Sequence, residues 1–166
     1  LIISNHEEQR RVADDFGVPF HCYPTTAETK ATQEKKIELL LQEYEIDLVV
    51  LARYMQVLSE GFVRAHPNRI INIHHSFLPA FAGPSPYRQA HDRGVKVIGA
   101  TAHLVTEDLD EGPIIEQNVV RVDHSRTPQE LVAIGQDEES TTLTQAVKWI
   151  SQNRVLLDGA RTIIFQ

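Results

Sequence analysis

The run Ile70-Ile71-Asn72-Ile73-His74-His75-Ser76 turns from apolar to polar within a few residues. Side chains in a strand alternate with a period of two, so Asn72 and His74 share one face while Ile73 and His75 project from the other. An amide and an imidazole held side by side are the groups that stabilise a carbonyl as it becomes an oxyanion. The amide donates one fixed hydrogen bond and an imidazolium donates a second. Acyl chemistry is the natural use of such a pair. Either residue alone at a strand end is ordinarily a satisfied polar group, and the shared face followed by a rigid proline-rich loop is what raises the pair above that reading.

A carboxylate reaching that histidine would hold it protonated. The acidic turn Thr106 to Gly112 offers Glu107, Asp108, Asp110 and Glu111. Asp110 is the best placed, because Leu109 is expected to pack down beside it and Gly112-Pro113 to set the backbone tightly. Glu107, Asp108 and Glu111 read as solvent-facing. Other chemistries fit less well. There are 8 histidines, but adjacent His74 and His75 point to opposite faces of a strand and no HExxH or Cys/His cluster occurs, so no metal site is expected. Cys22 lies in an apolar strand that suits a buried thiol rather than a nucleophile. His103, in the run GATAHLVT, reads as a core imidazole or one placed behind the site. Neither a G-x-G-x-x-G fingerprint nor a P-loop is visible in the residues present.

These side chains need a scaffold, and the patterning predicts an α/β one. Apolar Ile37, Leu40, Leu41 and Tyr44 at helical spacing predict a helix over 31–44 with Thr29 as its cap. A helix opening at Ser4 or Asn5 and ending near Phe16 precedes an extended run over 18–23. The short apolar run 47–51 reads as a strand buried on both faces. Ser59 caps a short helix to about His66, and 70–74 forms the next strand. The stretch LPAFAGPSP, with three prolines, is an ordered loop. Ser85-Pro86 then starts a helix closed by Arg93 and Gly94. Residues 95–105 and 113–122 are two β-branched strands. After Thr127-Pro128 two helices, or one kinked, are expected, because a polar break over 135–142 interrupts the apolar stripe. A hairpin around Asp158-Gly159 ends the chain. The early strands should pair in parallel and the later ones be mixed.

Composition bounds the partners. At about 150 residues per domain, 166 residues predict one domain, and 42% hydrophobic with 23% charged residues is enough to bury a core. No apolar run approaches the roughly 18 to 20 residues of a membrane span. With 16 basic against 23 acidic residues, a net charge of −7 and no basic cluster longer than Lys35-Lys36, a nucleic-acid partner is not expected. One cysteine and no secretory leader point to a reducing compartment, the cytoplasm. The chain opens Leu1-Ile2-Ile3-Ser4-Asn5, like a strand entered halfway, so it is expected to be the C-terminal part of a longer protein.

With Asn72-Ile73-His74-His75-Ser76-Phe77-Leu78-Pro79-Ala80-Phe81, then Gly83, Pro86-Tyr87 and Leu109-Asp110-Glu111-Gly112-Pro113-Ile114-Ile115, the chain resembles the formyl-folate transferase and hydrolase superfamily along essentially its whole length. The doubled histidine before Phe77, the stretch RGVKVIGATAH and the ending RTIIF are similar to its deformylase branch. The resemblance implies a Rossmann-like formyltransferase fold, mostly parallel with antiparallel later strands. It also implies hydrolysis of 10-formyltetrahydrofolate by water to formate and tetrahydrofolate, with folate as substrate and no metal or cofactor. That formate would supply purine biosynthesis and balance the one-carbon pool. Asn72, His74 and Asp110 match the superfamily's catalytic trio. Arg53, Tyr54, Met55, Gln56, Val57 and Leu58 match the loop that receives the pterin largely through main-chain groups, and Val105, Thr106, Glu107 and Asp108 match its other wall. Relatives in this branch carry a regulatory ACT domain and a first strand and helix ahead of the point where Leu1 stands, so residues 1–166 are expected to be a catalytic domain lacking its first β-α unit. A formyltransferase acting on an amine, or a folate-binding chain without turnover, are the alternatives, and self-association is left open.

Overall fold

Period-two alternation in two neighbouring strands fixes the layout around Asn72 and His74. The structure is a computed structural model describing residues 1–78 and 86–165, and the chain divides into two units, Leu1–Asp47 and Leu48–Gln166.

In the first unit β1 (Ile2–Ser4) pairs in parallel with β2 (Phe20–Cys22), joined through α1 (Arg10–Asp15), and α2 (Lys30–Glu43) follows. Helix α1 begins later than expected because Ser4 belongs to β1, where its hydroxyl accepts from the His6 amide at 3.1 Å. Thr29 stands at the start of α2 without capping it; its hydroxyl accepts from the Thr26 amide instead. Leu40 and Leu41 bury the helix's inner face.

The second unit runs β3 (Val49–Leu51), α3 (Glu60–Ala65), β4 (Ile70–His74), α4 (Pro86–Asp92), β5 (Val97–Leu104), β6 (Ile114–Arg121), α5 (Pro128–Ser151), β7 (Val155–Asp158) and β8 (Arg161–Ile164). One sheet has the order β3-β4-β5-β6, and β7-β8 is a separate hairpin. Strand β3 is parallel to β4, while β4-β5 and β5-β6 are antiparallel, so parallel pairing comes early and antiparallel pairing late. Val50 is exposed, which corrects the expectation that β3 is buried on both faces. Ser59 caps α3 by accepting from the Phe62 amide at 3.2 Å.

The apolar face of the sheet carries Ile71, Ile73, Ala100, Ala102, Leu104 and Ile115, packed against Ala146 of α5. Helix α5 is one element of 24 residues, where the polar break had suggested an interruption. Three of the break residues meet partners from other elements. A Cβ on Gly135 would overlap the Tyr87 ring of α4. Tyr87 donates its hydroxyl to Glu139 Oε1 at 2.6 Å, and fully buried Thr142 accepts from Asn118 Nδ2 at 3.1 Å. The Thr127 side chain and Glu130 form a capping box at its start. Residues 79–85, which include most of the proline loop and the Ser85 start of α4, lie outside the described residues.

Candidate active site

The other face of the same strands is polar. Asn72 lies opposite His103 and His74 opposite Thr101 in the β4-β5 register, so alternation puts all four on one side. Thr101 is fully buried and organises the segment leaving β4: it donates to the Ser76 carbonyl at 2.9 Å and accepts from the Leu78 amide at 3.1 Å. Gln117 Nε2 on β6 donates to both Thr101 Oγ1 at 2.9 Å and the Leu78 carbonyl at 3.3 Å. The polar turn after β4 is therefore held by side chains from the two strands beside it.

The β5-β6 loop folds over this face. Gly112 meets the Leu104 carbonyl so closely that a Cβ there would overlap it, and Asp110 takes a left-handed backbone with φ 57°, a conformation aspartate tolerates better than most residues. These two features, rather than Leu109, set the loop. Leu109 is 67% exposed and does not pack down. Arg64 of α3 grips both carboxylate oxygens of Glu107 at 2.7 and 2.9 Å and holds that carboxyl below its ordinary range. Glu107 thus braces the loop with its side chain. Val105 donates its amide to the Ile70 carbonyl at 2.9 Å, and Thr106 donates its hydroxyl to the Asp108 carbonyl at 3.1 Å.

This frame brings the three expected residues together. Asp110 Oδ2 is 3.2 Å from His74 Nδ1, and Asp110 Oδ1 is 3.5 Å from Asn72 Nδ2. A carboxylate can only accept, so Nδ1 of His74 carries the hydrogen, and in the neutral ring Nε2 then keeps its lone pair. That Nε2 is buried and has no hydrogen-bond partner among the described residues. Burial pushes the His74 ring below the ordinary histidine value, against the upward pull of Asp110; His75 and His103 push it down further. The expectation of a resident imidazolium is corrected accordingly, since loss of solvent outweighs the single carboxylate. His75 lies just beyond the end of β4, so strand alternation does not carry it to the opposite face as expected; it stacks on His74, with ring centroids 5.0 Å apart.

The segment Arg53 to Leu58 leaves β3 just beyond Leu51, which lies opposite Asn72. Arg53 has a left-handed φ of 53°. Arg53, Met55 and Val57 are exposed, and Tyr54, Gln56 and Leu58 are half-buried. His103 is the residue that sequence reasoning left in the background. It is buried, with Nε2 3.4 Å from both Asn72 Nδ2 and Asp110 Oδ1. The alternation of Thr101 and His103 with Ala100, Ala102 and Leu104 was the available signal. Among the described residues no group of His, Cys, Asp and Glu side chains is arranged to hold a metal ion, and no helix is long and apolar enough to cross a membrane.

Comparison with known proteins bears on the family and the fold. The profile of the family described as formyl transferase matches residues 1–147. The formyltetrahydrofolate deformylase of Bacillus subtilis is 53% identical over 165 residues, covering 99% of this chain and 55% of that protein. The crystal structure of formyltetrahydrofolate deformylase from Burkholderia mallei superposes with a TM-score of 0.94 at 56% identity, over 99% of this chain and 59% of that one. Phosphoribosylglycinamide formyltransferase from Anaplasma phagocytophilum superposes with a TM-score of 0.90 at 35% identity, over 99% of this chain and 80% of that one. The chain spans about half the length of the curated relatives it matches. A profile match over most of the sequence, together with that degree of identity, means that the chain belongs to the formyl transferase family.

Proposed function

We propose that this site hydrolyses 10-formyltetrahydrofolate to formate and tetrahydrofolate. The observation that carries the reading is the seating of Asp110 on His74 Nδ1 at 3.2 Å, beside a buried Nε2 that has no bond among the described residues. A buried polar atom with no partner costs about 1 to 3 kcal/mol and calls for a functional reason. Here the reason is a base poised for a water proton.

The steps balance with water alone. His74 Nε2 takes a proton as the water oxygen bonds to the formyl carbon, and the negative charge moves to the carbonyl oxygen, where Asn72 Nδ2 donates. Asp110 stabilises the imidazolium created at that moment. Collapse breaks the carbon–nitrogen bond, the departing nitrogen takes the proton from His74, and formate leaves. Arg53 to Leu58 and Val105 to Asp108 form the two folate-receiving walls, largely through main-chain groups. The reading places the protein in one-carbon metabolism in the cytoplasm.

Incubation of the intact protein with 10-formyltetrahydrofolate tests it. Free formate is the expected product; a formylated amine formed only when an acceptor is added would instead identify a transferase. Tight binding of a folate analogue with neither product would overturn both.

A further inference from the structure

His103 is placed to decide what the Asn72 amide does. Its Nδ1 lies 2.9 Å from the Leu104 carbonyl, an acceptor, so Nδ1 carries a hydrogen and only Nε2 can change state. Nε2 faces Asn72 Nδ2 and Asp110 Oδ1, each at 3.4 Å, and Asn72 Nδ2 is itself 3.5 Å from Asp110 Oδ1. These three contacts cannot all be hydrogen bonds at once.

With Nε2 bare, a lone pair points at the carboxylate, and the conflict is relieved when Asn72 bridges the two acceptors, one N–H to each. Both amide hydrogens are then committed. With Nε2 protonated, the ring donates to Oδ1 itself and can accept nothing from Asn72, so an amide hydrogen is released. All the distances are long, as suits bonds that exchange at small cost. Among the described residues the titratable groups facing the ring are Asp110, from the loop, and His74, from β4; β6 opposes it with apolar Ile114.

We propose that His103 is a positioning residue whose Nε2, by taking the Oδ1 edge of Asp110, turns Oδ2 toward His74 and frees an N–H of Asn72 for the developing oxyanion. The proposal rests on the hydrolase reading of this site. In it His74 Nε2 acts as the bare base and His103 Nε2 as the donor that clasps the carboxylate. The rate should therefore fall at low pH as His74 gains a proton.

The test uses His103→Gln and His103→Leu in the intact protein, with kcat and KM for formate release measured from about pH 5 to 9. Gln carries an N–H able to reach Oδ1 that does not titrate. It should keep kcat within about tenfold of the parent, whereas Leu should lower kcat about 100-fold with KM within about threefold. A Leu variant within about threefold of the parent, with the pH profile unchanged, would show that the ring only fills space. Ring-nitrogen NMR of the parent and of Asp110→Asn supplies a readout independent of turnover. The His103 Nε2 signal should move on that substitution, and an unmoved signal overturns the clasp. If the parent releases no formate while that signal does move, the hydrolase reading fails and the clasp stands.

Discussion

Replacing Asp110 with Asn removes one charge and little else. The new side chain keeps an oxygen that can accept from His74 Nδ1–H, so the ring stays oriented, and its amide can donate to a bare His103 Nε2. What disappears is the negative charge 3.2 Å from the ring that becomes cationic during reaction. At an effective dielectric constant of about 20 the attraction at that distance is about 5 kcal/mol. The Asp110 side chain is 26% exposed, and screening reduces this to about 3 to 4 kcal/mol, a loss in kcat of about 100- to 1000-fold. Single-turnover formate release, measured beside the melting temperature to confirm folding, is the assay. The pH profile gives a second check: Asp110 pulls the His74 value upward, so its loss must move the low-pH limb to lower pH. A variant that keeps kcat within about tenfold of the parent, or whose limb moves the other way, would refute the role given to the carboxylate.

Three further outcomes follow from particular contacts. Gly135→Ala in α5 should gain about 0.8 kcal/mol on helix propensity alone, but overlap with the Tyr87 ring predicts a net loss of about 1 to 3 kcal/mol, and thermal unfolding gives the sign. Arg64→Ala removes a solvent-screened ion pair, so the melting temperature should hardly change, while kcat/KM drops about tenfold because the brace on the Asp110 loop is gone. His74 binds its proton less readily folded than unfolded. Its contribution to stability is therefore complete above the ordinary value of 6.5 and is lost as pH falls from there through the lower folded value; a denaturant midpoint that rises on acidification across that window would contradict the assignment.

Strand β4 was legible because its chemistry is written at a period of two over five residues, and the helix starts at Ser59 and at Thr127-Pro128 because their signals are local. Asp110 could be singled out from its turn, but for a partly mistaken reason. Gly112 does set the backbone as expected, through its close approach to the Leu104 carbonyl, but Leu109 is exposed and the second anchor is the long-range pair Arg64–Glu107. Contacts between residues far apart in the chain leave no local pattern. The His74 ionisation was misjudged similarly: a neighbouring carboxylate can be guessed from composition, but the depth of burial opposing it depends on the packing of whole strands. In α5 the polar residues read as a helix break because their partners, Tyr87 and Asn118, come from elements distant in sequence.

The core and the site are alternate residues of the same two strands, and this ties stability to chemistry. Ile71, Ile73, Ala100, Ala102 and Leu104 face α5, and the intervening Asn72, His74, Thr101 and His103 build the polar face. A slip of one residue in either strand would exchange the two sets, burying an amide and two imidazoles against Ala146 and exposing the isoleucines. The burial of roughly five aliphatic side chains, worth about 1.5 to 3 kcal/mol for each large one, therefore selects the register that places His74 opposite Thr101 and Asn72 opposite His103. The irregularity in the β5-β6 pairing, where Ala102 lies opposite Glu116 and His103 opposite Ile114, leaves Ile115 as an extra residue on β6, and that residue joins the apolar core while β5 keeps its regular register with β4. Substitutions on the α5 face at Ile73 or Ala102 should consequently reach the site through strand position, with no contact to substrate required.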